Sequence, residues 1–261
     1  MHLSKSLQPN HLVLFVALIL ISALSACEGG SASETVGEDT IEATEPLVSH
    51  EDLQKEAFEK FATSPAEAVP IFKALASQLE QTGKQEELAM TLLNLSNIYD
   101  EYLGYPDSAL MAAQKSLEIW QNLGDSMQVA NLHKYKGFLL SQVSLTDQAL
   151  VEIDRAMELY TLLDYKPGMA VTEFNLAQVY FDSGQTEKSV SYFEKSMKYW
   201  RTEGDQKRIF INNIFGIDLY RKAGKDKQAK ALIAENEGLI SSLAVPQFVI
   251  DEFNAVKNGQ N

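Results

Sequence analysis

Acidic side chains are the groups in this chain most able to do chemistry, because the sequence has 36 Asp and Glu residues against 22 Lys and Arg. Asp100, Glu101, Asp182 and Asp218 lie in segments that could bring them together. Facing carboxylates can act as general acid and base, or hold a cation. The alternative is that they are solvated acids on a chain of net charge −14. We favour the solvated arrangement, which predicts no cofactor and no metal site.

Other candidate catalytic groups give little support for an enzyme. His133 stands alone on a predicted helix, where a histidine is more often packed or at the surface than a base or a ligand. Glu152 and Asp154 are two residues apart, so on a helix they face different ways. The sequence has no glycine-rich phosphate loop after a strand, no HExxH pattern and no Cys/His metal spacing. We therefore predict that the chain is not an enzyme, with a helical hydrolase using groove carboxylates as the remote alternative.

The single cysteine, Cys27, follows a segment typical of a secretory signal, with a basic start and an apolar run over residues 12–24. This run of 13 residues is shorter than the roughly 20 that span a bilayer. The sequence Leu24-Ser25-Ala26-Cys27 resembles the lipobox of bacterial lipoproteins. That resemblance implies a signal peptide at 1–26, and lipid such as palmitate on Cys27.

The residue after the cysteine is Glu28 rather than Asp, and an Asp there often retains Gram-negative lipoproteins at the inner membrane. The resemblance therefore implies a lipid-anchored protein of the cell envelope at the outer membrane. The periplasmic and the surface face both stay open. The alternatives are an ordinary signal peptide with a chance cysteine, or a free thiol.

Residues 27–49 are predicted to be the lipidated cysteine and a disordered acidic tether. Residues 28–48 contain six acidic residues and no basic one, and they lack periodic apolar positions. A flexible segment of this length spans roughly 25 Å on average, which would hold a domain off a membrane. A more specific interpretation is an acidic signal for surface display. The acidity of the whole chain disfavours nucleic acid as a partner, because it repels phosphate.

A repeat of 40 residues organises the rest of the chain. A small position, a second small or polar position, and a large apolar position each recur at this spacing. The three sets are Ala109, Ala149, Ser189 and Ala229; Ser116, Ala156, Ser196 and Asn236; and Trp120, Tyr160, Trp200 and Ile240. Self-similarity at this period predicts stacked helical hairpins with these positions in the core.

Apolar periodicity predicts a helical solenoid over residues 50–256 and a disordered tail at 257–261. The predicted pairs are 85–102 with 107–123, 126–143 with 147–163, 167–183 with 187–202, and 206–222 with 227–243, with a weaker hairpin before them that starts at 50–62 and a capping helix after them at 246–256.

Turn residues support these boundaries. Gly184 and Gly224 are expected to end helices with positive φ. Thr146, Thr186 and Asp226 are expected to cap the helices that follow, because their side chains can accept from free backbone N–H groups.

The spacing Leu176-Ala177-x-x-Tyr180-x-x-x-Gly184-x-x-x-x-Ser189 resembles the tetratricopeptide repeat. The usual repeat has 34 residues, so this chain resembles a longer variant. The stretch from Tyr99 to Ala109 is one residue too long, which predicts an insertion in the turn at 102–105. The resemblance implies an all-α fold, a right-handed superhelical solenoid of antiparallel helix pairs.

In this family the first helix of each pair lines a concave groove that takes peptide segments. Mapped through the repeat register, the resemblance implies groove positions at Asn94, Asn97, Glu101, Asn131, Lys134, Tyr135, Phe138, Phe174, Asn175, Gln178, Phe181, Phe215, Asp218 and Arg221. Asn and Gln can donate to and accept from a peptide backbone, and exposed aromatic rings can anchor a partner. The alternative is that these Asn residues are merely tolerated and that some of the aromatic rings pack between repeats.

Some relatives grip a C-terminal carboxylate with a set of Lys, Asn and Arg residues. Here Asn97 matches that set, but Leu93 and Tyr135 replace two of its members, so this clamp is incomplete. The sequence thus predicts a lipid-anchored scaffold that binds an unidentified protein or peptide segment, and a membrane through its lipid. The alternative is a structural subunit of an envelope assembly machine, for the outer membrane or for pili.

Overall fold

The computed structural model describes residues 49–259, so the predicted signal peptide, Cys27 and most of the tether lie outside the described part. The described residues form eleven α-helices and one π-helical segment. The helices are α1 (His50–Thr63), α2 (Pro65–Gln81), α3 (Gln85–Asn97), α4 (Pro106–Leu123), α5 (Ser126–Gln142), α6 (Thr146–Leu162), α7 (Lys166–Asp182), α8 (Thr186–Glu203), α9 (Gln206–Lys222), α10 (Asp226–Ile240) and α11 (Gln247–Asn258), with the π-helical segment at Ile98–Tyr102.

Successive helices pack as pairs. α1 with α2, α3 with α4, α5 with α6, α7 with α8, and α9 with α10 make the largest contacts, and each pair packs on the next. α11 covers α9 at the C-terminal end. The prediction of an all-α solenoid of antiparallel helix pairs is confirmed. α11 continues two residues beyond the predicted boundary at 256.

Small residues at the repeat positions let the two helices of a pair approach closely. Ala109, Ala149 and Ala229 are buried, as predicted. Where the approach is tightest the chain needs glycine: a Cβ on Gly137 would lie 2.5 Å from Ile153 Cγ1. Atoms this close would overlap, so α5 and α6 depend on the missing side chain.

Buried hydroxyl and amide groups tie the helices of a pair together. Ser116 Oγ donates to the carbonyl of Ala89 at 2.7 Å, and Asn236 Nδ2 donates to that of Phe210 at 2.9 Å. Both side chains occupy the same register position. At these two residues the partner helix satisfies the buried polar group.

The two glycine predictions for the turns are confirmed, and the three capping predictions are wrong. Gly184 and Gly224 have φ of 76° and 68°. Thr146, Thr186 and Asp226, however, are the first residues of their helices rather than caps. In the turn before α8, for example, the N–H of residue 185 bonds back to the carbonyl of residue 180, so residue 185 itself becomes the cap. The helices that follow these turns therefore begin one residue earlier than predicted.

The extra residue of the first clear repeat is also placed differently from the prediction. It was expected in the turn at 102–105, but the helix absorbs it as the π-helical segment Ile98–Tyr102. A π-helical turn holds one more residue than an α-helical turn, so it accommodates an insertion without breaking the helix. The segment rotates Asp100 and Glu101 relative to the α-helical register.

Across residues 49–259, no helix combines the length and the apolar character needed to cross a bilayer.

Candidate partner-binding groove

The predicted groove residues lie on the first helices of successive pairs. We call the surface formed by α3, the π-helical segment, α5, α7 and α9 the groove face. α5 and α7 contact one another directly, which places successive first helices side by side. Twelve of the fourteen predicted residues are partly exposed there. Phe174 and Asn175 are buried, at 3% and 4% exposure.

The aromatic residues of this surface pack between repeats rather than projecting as anchors. The Phe174 ring lies 5.3 Å from that of Phe215 and 6.4 Å from that of Phe193. Phe181 also contacts Phe215, at 5.3 Å. The expectation of an exposed anchor is wrong for Phe174. The rings fill space at the junction of α7, α8 and α9, where Gly216 lets Phe193 reach the α9 backbone.

Several polar atoms of the groove face have no partner. Asn175 Oδ1, Gln178 Oε1 and Glu101 Oε1 are buried and accept no hydrogen bond from any residue in 49–259. Buried polar groups in folded proteins are nearly always hydrogen-bonded. These three oxygens are therefore positions where a donor from a ligand or partner would be stabilising.

Two carboxyl groups with raised pKa values lie at the end of the groove face that the first clear repeat forms. Burial raises the pKa of Asp100 to about 6, although Gln142 Nε2 donates to it at 3.1 Å. Burial and, to a lesser degree, the charge of Asp100 raise the pKa of Glu101 to about 8. The expectation of solvated acids is wrong for these two. Asp218 does not join them, because it lies beside Arg221 and influences Glu252.

The space beside Glu101 is too small for a substrate. Phe58, Phe61 and Phe72 close around it and leave about 10 Å³, which is room for about one water molecule. Tyr135, on α5, accepts from Ser96 Oγ at 3.4 Å, and burial raises the pKa of its hydroxyl. The space beside Glu101 can therefore hold about one water molecule but not a substrate.

Two predicted groove residues are already used by the fold. Arg221 donates to the main-chain carbonyls of Val256 and Lys257, at the C-terminal end of α11. A cation there satisfies free carbonyls and the negative end of the helix dipole. Asn131 Oδ1 accepts from Tyr160 Oη at 2.7 Å. The assignment of Arg221 to partner binding is therefore corrected to docking of the last helix.

Two cations, Lys134 and Arg208, interact at the groove face, and the sequence predicted only Lys134 there. Lys134 lies on α5, and burial, with the nearby charge of Arg208, lowers its pKa to about 8. Arg208 lies in the first turn of α9 and stacks on Trp200, with its guanidinium carbon 4.9 Å from the ring centroid. Sequence reasoning missed Arg208 because it aligns with Gly168, which is not a groove position in the repeat register.

The opposite face holds a second feature that the sequence did not predict. Glu152 accepts from His133 Nδ1 at 2.5 Å and from Lys136 Nζ at 3.3 Å. Burial acts to raise the pKa of Glu152, but these two partners lower it. His133 is buried, which is one of the two arrangements that the sequence left open for it. The network borders a groove of about 770 Å³ between α4 and α6.

No group of three or more His, Cys, Asp or Glu side chains within residues 49–259 is arranged to hold a metal ion.

The model of one protein family matches this sequence: the tetratricopeptide repeat, over residues 128–202. The matched segment covers α5–α8 and the turns around them. The chain folds as a tetratricopeptide-like solenoid. No curated protein matches this chain.

Solved structures agree with this tetratricopeptide-like fold. Aspartyl phosphate phosphatase F from Bacillus subtilis aligns with a TM-score of 0.71 and 14% identity, over 80% of this chain and 55% of its own. A Rap protein complexed with competence and sporulation factor gives 0.63 and 15%, over 82% and 57%. A putative kinesin light chain of Podosopora anserina gives 0.58 and 13%, over 74% and 93%. This chain thus spans a little over half the length of the first two, and the likeness concerns the fold alone.

Proposed function

We propose that this chain is a lipid-anchored scaffold of the bacterial cell envelope that binds an extended segment of a partner protein along the groove face. The unpartnered oxygens of Asn175, Gln178 and Glu101 carry this proposal. An extended peptide presents an N–H group at every non-proline residue, and such groups can complete the missing hydrogen bonds. Side-chain amides suit this role because they accept and donate at once.

The fold supports protein–protein interaction as the general role. Among the similar structures, the Rap protein is described in complex with competence and sporulation factor, which is a property of that protein. Fold alone does not assign function, so the proposal rests on the groove atoms.

The envelope location follows from the proposed lipid on Cys27. Acyl chains keep the protein at a membrane, and the tether would allow the solenoid to reach partners about 25 Å away. Confinement raises the effective concentration of a membrane-bound partner, so a weak groove contact suffices.

Affinity purification of the full chain from cells of its own species tests the groove assignment. Asn175→Ala and Gln178→Ala should reduce co-purification of the partner, because each removes an acceptor on the groove face. Gln148→Ala is the matched control, since residue 148 is exposed on α6 and borders the opposite groove. Equal recovery with the groove variants and with the control would exclude the groove face as the binding site.

A structural subunit of an envelope machine is the second candidate. The opposite face favours it, because Met111 and Val151 are 64% and 52% exposed along the groove between α4 and α6. Exposed apolar side chains around a groove are typical of permanent contacts. This function predicts that gentle membrane extraction yields a stable large complex, which Met111→Lys would release.

A hydrolase is not proposed. Glu101 adjoins a space of about 10 Å³, which is too small for a substrate.

A further inference from the structure

Two cations of the groove face, Lys134 and Arg208, form no ion pair with an acidic side chain in the described part of the chain. Lys134 makes no hydrogen bond or ion pair with residues 49–259. The Arg208 guanidinium stacks on Trp200, and its Nε is buried without an acceptor. The nearest acid along the chain, Asp205, uses its carboxylate to accept from the backbone N–H of Arg208 at 2.9 Å. Asp205 therefore lowers the local charge but leaves the guanidinium donors open.

Such an arrangement is costly in the free protein. Burial disfavours the charged form of both Lys134 and Arg208, and the charge of Arg208 lowers the pKa of Lys134 further. The charge of Asp205 offsets the effect of burial on Arg208 only in part, because the pKa of Arg208 is still lowered. The chain has 36 acidic residues that could have neutralised them. Elsewhere on the groove face Arg221 is satisfied by Asp218 and by main-chain carbonyls. Lys134 and Arg208 are therefore the position where an anion from outside would be stabilised most.

We propose that Lys134 and Arg208 bind the carboxylate of an Asp or Glu side chain in the partner segment. This inference rests on the proposed function, because it names one contact of the segment that the groove face takes. It differs from the carboxylate clamp of the family, which grips a chain terminus through other register positions.

The neighbouring residues fit an internal acidic side chain. Asn175 and Gln178 lie on α7, which follows α5 and precedes α9 in the stack. Their unpartnered oxygens can accept from backbone N–H groups. Lys134 and Arg208 can only donate, and they bind a negatively charged acceptor more strongly than a neutral one. One helical turn beyond Arg208, Asn212 Nδ2 is a further buried donor without an acceptor. The groove face thus offers acceptors to the partner's backbone and donors to one negative group.

An array of random peptides about twelve residues long, each with an amidated C-terminus, tests the inference. It is probed with the full chain in detergent. Amidation removes the terminal carboxylate, so any preference for acid reports side chains. We expect bound peptides to share an Asp or Glu at one position. Replacing that residue by Asn or Gln should weaken binding at least about tenfold, because a charge-assisted contact contributes about 1.5–3 kcal/mol. Binding should also weaken with added salt.

Variants of the protein complete the test. A double variant that combines Lys134→Met with Arg208→Gln should show no preference for acidic peptides. It should bind acidic peptides about tenfold or more weakly than the wild type does, while neutral peptides still bind. Lys115→Met is the control, since it removes one positive charge from an exposed position on α4. Thermal melting checks that the double variant is folded, because it removes two buried positive charges but also the stacking of Arg208 on Trp200.

The outcomes separate the two proposals. Peptides that bind without a preference for acid, or that bind the double variant equally well, overturn the carboxylate site and leave the groove function intact. Peptides that bind unchanged to the Asn175→Ala and Gln178→Ala variants overturn the groove function itself. A preference that appears only for peptides with a free C-terminus overturns the side-chain assignment in favour of a terminal carboxylate.

Discussion

Replacing Glu101 with glutamine should stabilise the chain at pH 8 and leave it unchanged near pH 5. Glutamine has the shape of the protonated carboxyl group but carries no charge. In the folded chain, burial and the charge of Asp100 raise the pKa of Glu101 from 4.5 to about 8. The folded state therefore binds the proton more tightly than the unfolded chain does. It follows that the free energy of unfolding falls as the pH rises from about 4.5 to 8.

The magnitude follows from the size of this difference. Each pH unit across the window corresponds to about 1.4 kcal/mol for a fully buried group, which gives a total of about 5 kcal/mol. Glu101 is only half-buried, and solvent screens its charge. We therefore expect the Glu101→Gln variant to gain about 2 kcal/mol at pH 8.

Urea unfolding of both proteins at pH 5, 6, 7 and 8, followed by helical circular dichroism, measures this difference. Solenoids can unfold in parts, so hydrogen exchange of the α3 and π-helical amides reports the local effect. Glu118→Gln is the control, because it removes an acid from an exposed position on α4. The reasoning is refuted if Glu101→Gln shows the same pH dependence as the wild type.

Three further substitutions test the packing. Ser144→Gly should raise the free energy of unfolding by about 0.5–1 kcal/mol in urea titrations, because Ser144 has φ of 61°; a loss of stability would contradict this. Gly137→Val should lower it by about 3 kcal/mol or more, since a Cβ there would lie 2.5 Å from Ile153 Cγ1; an unchanged urea midpoint would show that the helices can move apart. Arg221→Gln should speed hydrogen exchange of α11 about tenfold, because the carbonyl of Val256 loses its charged donor; unchanged exchange would mean that apolar packing alone holds α11.

The sequence predicts the positions that recur and misses those that depend on a single repeat. Trp120, Tyr160 and Trp200 are buried as predicted, because a 40-residue spacing returns each of them to the same interface. The π-helical segment could not be placed, since spacing shows that one residue is extra but not whether helix or turn absorbs it.

The sequence predicted where the residues of the candidate site lie, but not whether they are buried or hydrogen-bonded. Register placed Asn175 and Gln178 on the groove face, and the structure adds that their oxygens lack partners. Register also placed Phe174 there, but the space beside Gly216 draws the neighbouring rings into the core. Arg208 was missed because its register position, shared with Gly168, is not a groove position, although its charge acts on Lys134 in the folded chain.

Site-specific photo-crosslinking in intact cells tests the central claim, that the groove face binds a partner segment, most directly. A photoreactive amino acid replaces Gln178 on the groove face or, in the matched control, Gln148 on the opposite face. The account predicts that position 178 crosslinks to a distinct protein, that position 148 does not, and that Asn175→Ala reduces the crosslink. A result in which position 148 crosslinks to a partner protein and position 178 does not would contradict the claim.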